Sequence, residues 1–406
     1  MLDKRTIAGG WFLLGMVTVS LAKDPPAPAE GAIRVATYNV AMYRDRAGLL
    51  TEELRTGRSR QAERIAEVIQ RVRPDLLLLC EIDYAAEKGP IKPLIASYLA
   101  LPQAEGLRGI DYPSSFTAPV NTGDPSGLDL DFDGRTDGPN DAWGFGRYPG
   151  QYGMAVLSRY PIDHEATRSF RELLWSALPD ARQPIDPKTG QPYYPDGLWR
   201  KLRLSSKSFW DVVVTTPYGR ISLLCSHPTP PVFDGPEDRN GCRNADEIAL
   251  VDHYVNRPTA EFLVDDQGLL GGLDASREFV ILGDLNADPV DGDDRHGAID
   301  ALLTSERVAR FEAPRSQGAV AAAERGIALN AQQKGDPSVD TADFGGDGVA
   351  NMRVDYALPS RGLEVKATGV YWPKPGEPGA EAITASDHRM VWVDLVIKHD
   401  DPPSPQ

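Results

Sequence analysis

Residues 33–40 (IRVATYNV) alternate apolar and polar side chains, the two-residue period of a strand with one buried face. Ala62, Ile65, Ala66, Ile69 and Val72 then recur three and four apart, which places them on one face of a helix that Pro74 closes. Residues 76–82 (LLLLCEI) form a short continuous apolar run, as expected of a strand covered on both faces. The chain therefore opens strand, helix, strand, an α/β beginning. Similar runs at 153–158, 211–215, 221–225, 279–282, 354–358 and 390–397 follow, with few long helices between them. A doubly wound sheet needs a crossover helix between most strands, so two packed sheets joined by hairpins and flanked by helices suit the pattern better. Long segments rich in Gly, Pro and Asp interrupt the runs, above all 101–151 and 168–203, and loops of that length usually line a site. No internal repeat occurs.

The two ends read differently from the body. Lys4 and Arg5 precede an apolar stretch at 7–21, and Ser20-Leu21-Ala22 puts small residues where a signal peptidase reads. The stretch is about 15 residues, short of the roughly 20 that span a bilayer. A leader cleaved after Ala22 is expected, with secretion or periplasmic export and no membrane span after its removal. Residues 23–31 (KDPPAPAEG) read as a Pro-rich spacer without means of packing, and 399–406 as a disordered tail. One domain over 32–398, with long loop insertions, is the expected organisation, and a monomer the expected state.

At 41% hydrophobic and 25% charged residues, the 406-residue chain is neither a disordered protein nor a multi-span membrane protein. Lys and Arg number 43 against 59 Asp and Glu, and the net charge of −16 repels polyanions. Nucleic acid is thereby disfavoured as a partner. Where so acidic a chain acts on phosphates, divalent cations must neutralise the site. Of the three cysteines, Cys80 and Cys225 sit in strand-like runs as small hydrophobes, and a Cys225–Cys242 bridge stays an open alternative.

Nearly every apolar run stops at a residue suited to ligating metal or moving protons. Asn39 ends the first, Glu81 the second; His227 follows 221–225, Asp284 and Asn286 follow 279–282, and Asp387-His388 precede the last. Singly, each has an ordinary explanation as a turn, cap or emerging polar residue. Together, and with Asp355 inside a strand run, they make a hard-cation, phosphate-directed site if they meet at one edge of a sandwich.

Thr37-Tyr38-Asn39-Val40, Pro74-Asp75 through Glu81, residues 153–158 with Tyr160-Pro161, Gly283-Asp284-Leu285-Asn286, Arg353-Val354-Asp355-Tyr356 and Ser386-Asp387-His388 resemble, in order, the signatures of the endonuclease/exonuclease/phosphatase superfamily. This is the fold of pancreatic-type deoxyribonucleases, apurinic-site endonucleases, inositol polyphosphate 5-phosphatases and bacterial sphingomyelinases. The resemblance runs from about residue 33 to 397. It implies a four-layer α/β sandwich, two central β-sheets flanked by helices (deoxyribonuclease I-like), and a Mg²⁺- or Mn²⁺-dependent phosphoesterase. It also implies that Glu81 is the principal metal ligand, with Asn39 and Asp387 in the same cluster. Asp284 would align or deprotonate the attacking water and Asn286 orient it, either touching a second metal. His388 would contact the phosphate, its tautomer held by Asp355, and His227 would stabilise the phosphate or the leaving oxygen.

The chain departs from that pattern in places. His227 leads into Pro228-Thr229-Pro230-Pro231 and a polar stretch at 233–244, in which Arg239 and Arg243 are the basic candidates for a second substrate contact. Asp129, Asp131 and Asp133 alternate before Gly134 like the opening of a Ca²⁺ loop, although Asn140 stands where its closing Glu belongs. A separate structural Ca²⁺ turn is the metal reading there, an acidic loop the plain one. His164, His253, His296 and His399 have no convincing partner in the sequence pattern and are expected at satisfied surface or core positions, with a place bordering the site the alternative for His296. The expected function is an exported, metal-dependent phosphoester hydrolase acting on a small phosphodiester or monoester. An extracellular nuclease on DNA or RNA is the alternative within the class, and a catalytically silent Ca²⁺-binding module the alternative outside it.

Overall fold

The structure, a computed structural model, describes residues 18–19, 24–86, 89–292, 296–326, 328–345 and 349–397. Numbered along the chain, the main strands are β1 (Ala32–Met42), β2 (Leu76–Ile82), β3 (Ser114–Phe116), β4 (Met154–Ser158), β5 (Ile162–Ser169), β6 (Phe209–Thr216), β7 (Gly219–Ser226), β8 (Phe279–Asp284), β9 (Asp355–Pro359), β10 (Glu364–Tyr371) and β11 (Met390–Val396). Every strand expected from an apolar run forms. One sheet has the order β10-β11-β1-β2-β4-β3, with Thr18–Val19 pairing along β10, and the other the order β9-β8-β7-β6-β5. Both sheets are mixed, because β1 and β2 are parallel, as are β7 and β8, while hairpins supply antiparallel neighbours.

The two sheets face each other, and alternation explains which residues fill the gap. Val280 and Leu282 of β8 join Leu223 and Cys225 of β7 and the residues of β1 and β2 in one core. Phe279 and Ile281, one residue out of phase, join Leu224 in a second core under the helix Arg239–Asn256 (α3). Because both faces of these strands are buried, their sequences read as unbroken apolar runs. Leu49–Arg55 (α1) and Arg60–Val72 (α2) cover the outer face of the other sheet with Leu50, Leu54, Ile65 and Ile69. Ser59 caps α2 by accepting a hydrogen bond from the Ala62 N–H, and Arg73 ends it in the left-handed conformation. Helix, sheet, sheet, helix gives the four layers of a deoxyribonuclease I-like α/β sandwich.

Two differences from the sequence reading stand out, and one open alternative is decided. The part of the Pro-rich spacer that the structure describes does pack: Asp24 pairs with Arg71 at 3.1 Å, and the Pro26 carbonyl accepts from buried Arg34 at 2.7 Å. Two arginines supply donors that a Pro-rich segment, poor in N–H groups, can accept. The polar stretch at 233–244 is only half a loop, since α3 starts at Arg239. All three cysteines are free thiols, with Cys225 on β7 and Cys242 on α3, so the Cys225–Cys242 bridge is not formed. The expected leader, apart from Thr18–Val19, and the expected tail with His399 lie outside the described residues. Among the described residues no helix is long and apolar enough to cross a membrane.

Candidate active site

Register brings the strand ends together. Asp284 lies directly opposite Asp355 across β8 and β9. Parallel pairing sets Cys225 beside Leu282, so the chain beyond β7 delivers His227 toward Asp284. In the other sheet Asn39 pairs with Cys80 and Met42 with Ile82, which puts Glu81 at the register shift between the two pairs, and the Ser386 hydroxyl donates to the Asn39 carbonyl at 2.7 Å, tying the approach to β11 alongside. Gly283 is required at the junction, because a Cβ there would meet the Ser226 carbonyl oxygen at 1.8 Å. Three non-glycine residues around the site hold left-handed backbone: Ala41, Glu81 and Asn286, with φ of 46°, 58° and 50°. Such conformations cost roughly 1–3 kcal/mol each and persist only where the surroundings impose them.

Asp284 is the hub. Its Oδ1 accepts from the Asn286 N–H and its Oδ2 from the Asn39 amide, each at 3.0 Å. His227 Nε2 stands 3.5 Å and His388 Nε2 3.6 Å from that same Oδ2, and His227 Nε2 is 4.0 Å from Glu81 Oε1. Burial pushes the Asp284 carboxyl up to about 6, His388 opposing and Asp355 reinforcing the shift. Burial likewise raises Glu81. His388 Nδ1 meets Asp355 Oδ2 at 2.9 Å, and that oxygen also accepts from the Thr341 hydroxyl at 2.8 Å. Burial works against a charged His388, but Asp355, Asp284 and Asp387 outweigh it and hold its pKa well above the ordinary histidine value. His227 is held well below that value by burial, with Lys207 and His388 adding to the effect.

Six expected residues thus meet in one place: Asn39, Glu81, His227, Asp284, Asp355 and His388. Asn286 is adjacent, its side-chain amide donating to the Pro228 carbonyl at 3.1 Å. Asp387 stands beside His388 with its side chain exposed, and acts together with Glu81 on the Tyr43 phenol. Donor atoms of Glu81, His227 and Asp284 lie within 4.8 Å of one another, as do those of Asp284, Asp355 and His388, and Asp387 joins neither group.

Glu81 opens on a cavity of about 580 Å³ walled by Tyr43, Trp143, Tyr152, Tyr194 and Lys207. Lys207 is a site residue that no motif flagged. It is only 6% exposed, and burial depresses its pKa while Glu247, Glu81 and Asp284 pull the other way. Its neighbours, Ser205, Ser206 and Ser208, make the segment read as a polar loop, and only the apolar strand that follows hints at burial.

Arg239 and Arg243 both line this cavity, but they are engaged. Arg239 pairs with Glu237, and Arg243 donates to the carbonyls of Leu204, Trp143 and Arg203. In the acidic turn, Asp129 and Asp131 gather with Asp141, whereas Asp133 turns away to accept from the Arg135 N–H. His296 sits against Asp238 at 3.1 Å near the start of α3, His253 against Phe262, and His164 against Phe116.

A model of the endonuclease/exonuclease/phosphatase family matches residues 36–388, a span that contains every residue of the cluster. The chain belongs to that family. Its members hydrolyse phosphoesters, typically with a divalent metal. Among solved structures, a family member from Beutenbergia cavernae aligns over 90% of this chain and 71% of its own, at 19% identity and a TM-score of 0.48. Sphingomyelinase C from Streptomyces griseocarneus aligns over 89% and 99% at 14% identity and 0.46, and the human Nocturnin catalytic domain over 90% and 93% at 14% and 0.43. No curated protein matches the sequence.

Proposed function

We propose that this family member is an exported hydrolase of small phosphoesters that works with Mg²⁺ or Mn²⁺. The observation that carries the reading is the meeting of Glu81, His227, Asp284, Asp355 and His388 in two donor groups that share Asp284. The donor set fits a hard divalent cation: the half-buried Glu81 and the buried Asp284 carboxylates, both with raised pKa, face the same space as the Asn39 amide, and no lysine or arginine forms an ion pair with either among the described residues. Glu81 would be the principal ligand, with Asn39 and Asp387 beside it and Asp284 and Asn286 toward a second ion. A bound ion would supply positive charge for the oxygens of the reacting phosphate, which an acidic chain otherwise lacks.

The protein's own groups divide the remaining work. Asp284 Oδ1 is fixed by the Asn286 N–H and Oδ2 by the Asn39 amide, and the remaining lone pair of Oδ2 receives the proton of the attacking water. Asn286, its side-chain N–H held by Pro228, presents its amide oxygen to orient that water. His388, charged and fixed through Nδ1 by Asp355, donates from Nε2 to a non-bridging phosphate oxygen. Neutral His227 donates from Nε2 to the phosphate or the leaving oxygen. The net charge of −16 favours a small substrate over a polynucleotide. The apolar segment at 7–21 supports export, which fractionation of expressing cells tests directly.

The test is hydrolysis of bis-p-nitrophenyl phosphate, p-nitrophenyl phosphate and plasmid DNA with Mg²⁺, Mn²⁺ or Ca²⁺. Glu81→Ala and His388→Ala serve as controls. Activity on the nitrophenyl esters that disappears with chelator and in both variants is expected. Activity indifferent to chelator or to either substitution overturns the mechanism, and plasmid cleavage as the dominant activity overturns the substrate class.

A further inference from the structure

The cavity beside Glu81 is larger than a phosphate needs, and seven aromatic side chains are in its lining. Trp143, Trp175 and Tyr194 line it, Tyr43 and Tyr152 stand on it with ring centroids 4.5 Å apart, and Phe145 and Phe233 are exposed members of the lining. A volume of about 580 Å³ falls within the roughly 300–1,000 Å³ of sites that enclose small organic ligands.

The walls are braced by two arginines whose donors are largely committed elsewhere. The Arg203 guanidinium lies over the Trp143 ring at 4.8 Å while bonding Asn121 and Asp124. Arg243 lies over Trp175 at 6.0 Å while bonding three carbonyls, one of them that of Trp143. The Trp175 indole N–H is fixed on Asp246 at 2.6 Å. Rings immobilised before a ligand arrives bind flat partners without a further ordering cost.

Lys207 differs from these arginines. It is buried, it lines the cavity as Glu81 does, and among the described residues its ammonium has neither an ion pair nor a hydrogen bond to a side chain or carbonyl. The nearby carboxylate of Glu247 is already taken by the N–H groups of Ser206 and Thr229, each at 2.6 Å. Glu247, Glu81 and Asp284 act on the ammonium from a distance, but none is within ion-pair reach, so the cavity side is open to an anion in direct contact.

We propose that the cavity holds the organic group of the substrate, that this group carries an aromatic ring stacked against Trp143 and Tyr194, and that Lys207 meets an oxygen of the attached phosphate. The inference rests on the hydrolase reading and deepens it to a substrate class, monoesters or diesters of ring-bearing alcohols. Alkyl and polyol esters would fill the phosphate position and leave the rings bare.

Binding and turnover separate this inference from the reading beneath it. With Mg²⁺ present, benzylphosphonate should bind about tenfold or more tightly than methylphosphonate, the scale of one aromatic stacking contact. Trp143→Ala should bring that ratio toward one and Trp143→Phe keep most of it. Lys207→Met should weaken both phosphonates by a similar factor and leave the ratio alone, with Lys207→Arg restoring part of the affinity. Tryptophan fluorescence or calorimetry reads the binding, and melting temperature reports whether each variant folds.

Equal affinities for the two phosphonates, or a ratio that survives both Trp143→Ala and Tyr194→Ala, overturns the inference. So does tighter binding of glucose 6-phosphate than of benzyl phosphate. Turnover is compared on benzyl and ethyl phosphate, whose leaving alcohols are similarly basic. If both turn over equally and Glu81→Ala abolishes both, the hydrolase stands and ring selectivity falls. If neither of these monoesters nor bis-p-nitrophenyl phosphate turns over while the phosphonate ratio behaves as stated, the ring site stands and the hydrolase falls.

Discussion

His227 and His388 each bring Nε2 close to the same carboxylate oxygen of Asp284, at 3.5 and 3.6 Å, yet they are not equivalent. His388 has Asp355 on its other nitrogen, and Thr341 braces that carboxylate from behind. His227 Nδ1 is buried with no hydrogen-bond partner among the described residues, so nothing on that side favours its charged form. The asymmetry yields a prediction: Asp355→Asn, which keeps the shape and removes the charge, should lower kcat about 10²- to 10⁴-fold with a smaller change in KM. Steady-state kinetics on a nitrophenyl ester checks it, and a loss confined to KM would show that Asp355 only shapes the pocket. Residues such as Asn39, Glu81 and Asp284 were legible because each ends an apolar run, so the polar residue marks where a buried strand emerges. Lys207 was not, since it is surrounded by serines in sequence and meets the site only through the fold, with the distant Asn121 N–H on its carbonyl and Glu81 in the same cavity lining. Asp141, too, joins Asp129 and Asp131 only through the fold of its turn, where spacing alone favoured Asp133.

Among the elements, β8 and its neighbours set the geometry, and Gly283 is where they touch. Gly283→Ala would drive a Cβ into the Ser226 carbonyl, so β7 and β8 must separate at the point that aligns His227 with Asp284. A loss of about 3 kcal/mol or more in urea unfolding is expected, together with lost activity. A second joint lies at the far side of the first sheet. Arg34 on β1, 1% exposed, pairs with Asp394 on β11 at 2.7 Å, donates to the last carbonyl of α2 at Val72, and lies over the Trp392 ring at 4.2 Å. Asp394→Ala leaves that guanidinium buried and unpaired and should cost about 3–5 kcal/mol, while Arg34→Met with Asp394→Leu should recover much of the loss. Denaturation midpoints of the three proteins decide it. The strands were readable from runs covered on both faces, whereas α3 was missed. Its first turns, RNGCRN, are polar, although Ala245, Ile248, Val251 and Val255 already carry helical spacing.

For the whole molecule, acidity is the dominant fact, and it acts on stability twice. At the site, half-buried Glu81 and buried Asp284 hold donor atoms within 4.8 Å of each other, so a divalent cation that binds only the folded chain should stabilise it by about 2.7 kcal/mol at a hundredfold excess over Kd. A rise in Tm with Mn²⁺ that Glu81→Gln abolishes is the expected result, and an equal rise in the variant would place the cation elsewhere. Away from the strand-end cluster, Asp340 is 3% exposed and its Oδ2 has no hydrogen-bond partner among the described residues. Burial first, and then the carboxylates of Asp288, Asp291 and Asp336, raise its pKa to about 8. The unfolded chain releases the same proton near pH 4. Between those values the folded state holds the extra proton, so the contribution is fully present below about pH 4 and is lost as pH rises toward about 8. Asp340→Asn stays neutral throughout and should flatten this slope, leaving the variant more stable than the native chain at pH 8.5 by on the order of 1–3 kcal/mol relative to their difference at pH 5. Urea unfolding at the two pH values measures it. Parallel slopes for the two proteins would mean that Asp340 is ionised in the folded state, with a counter-charge such as a cation close enough to hold it so.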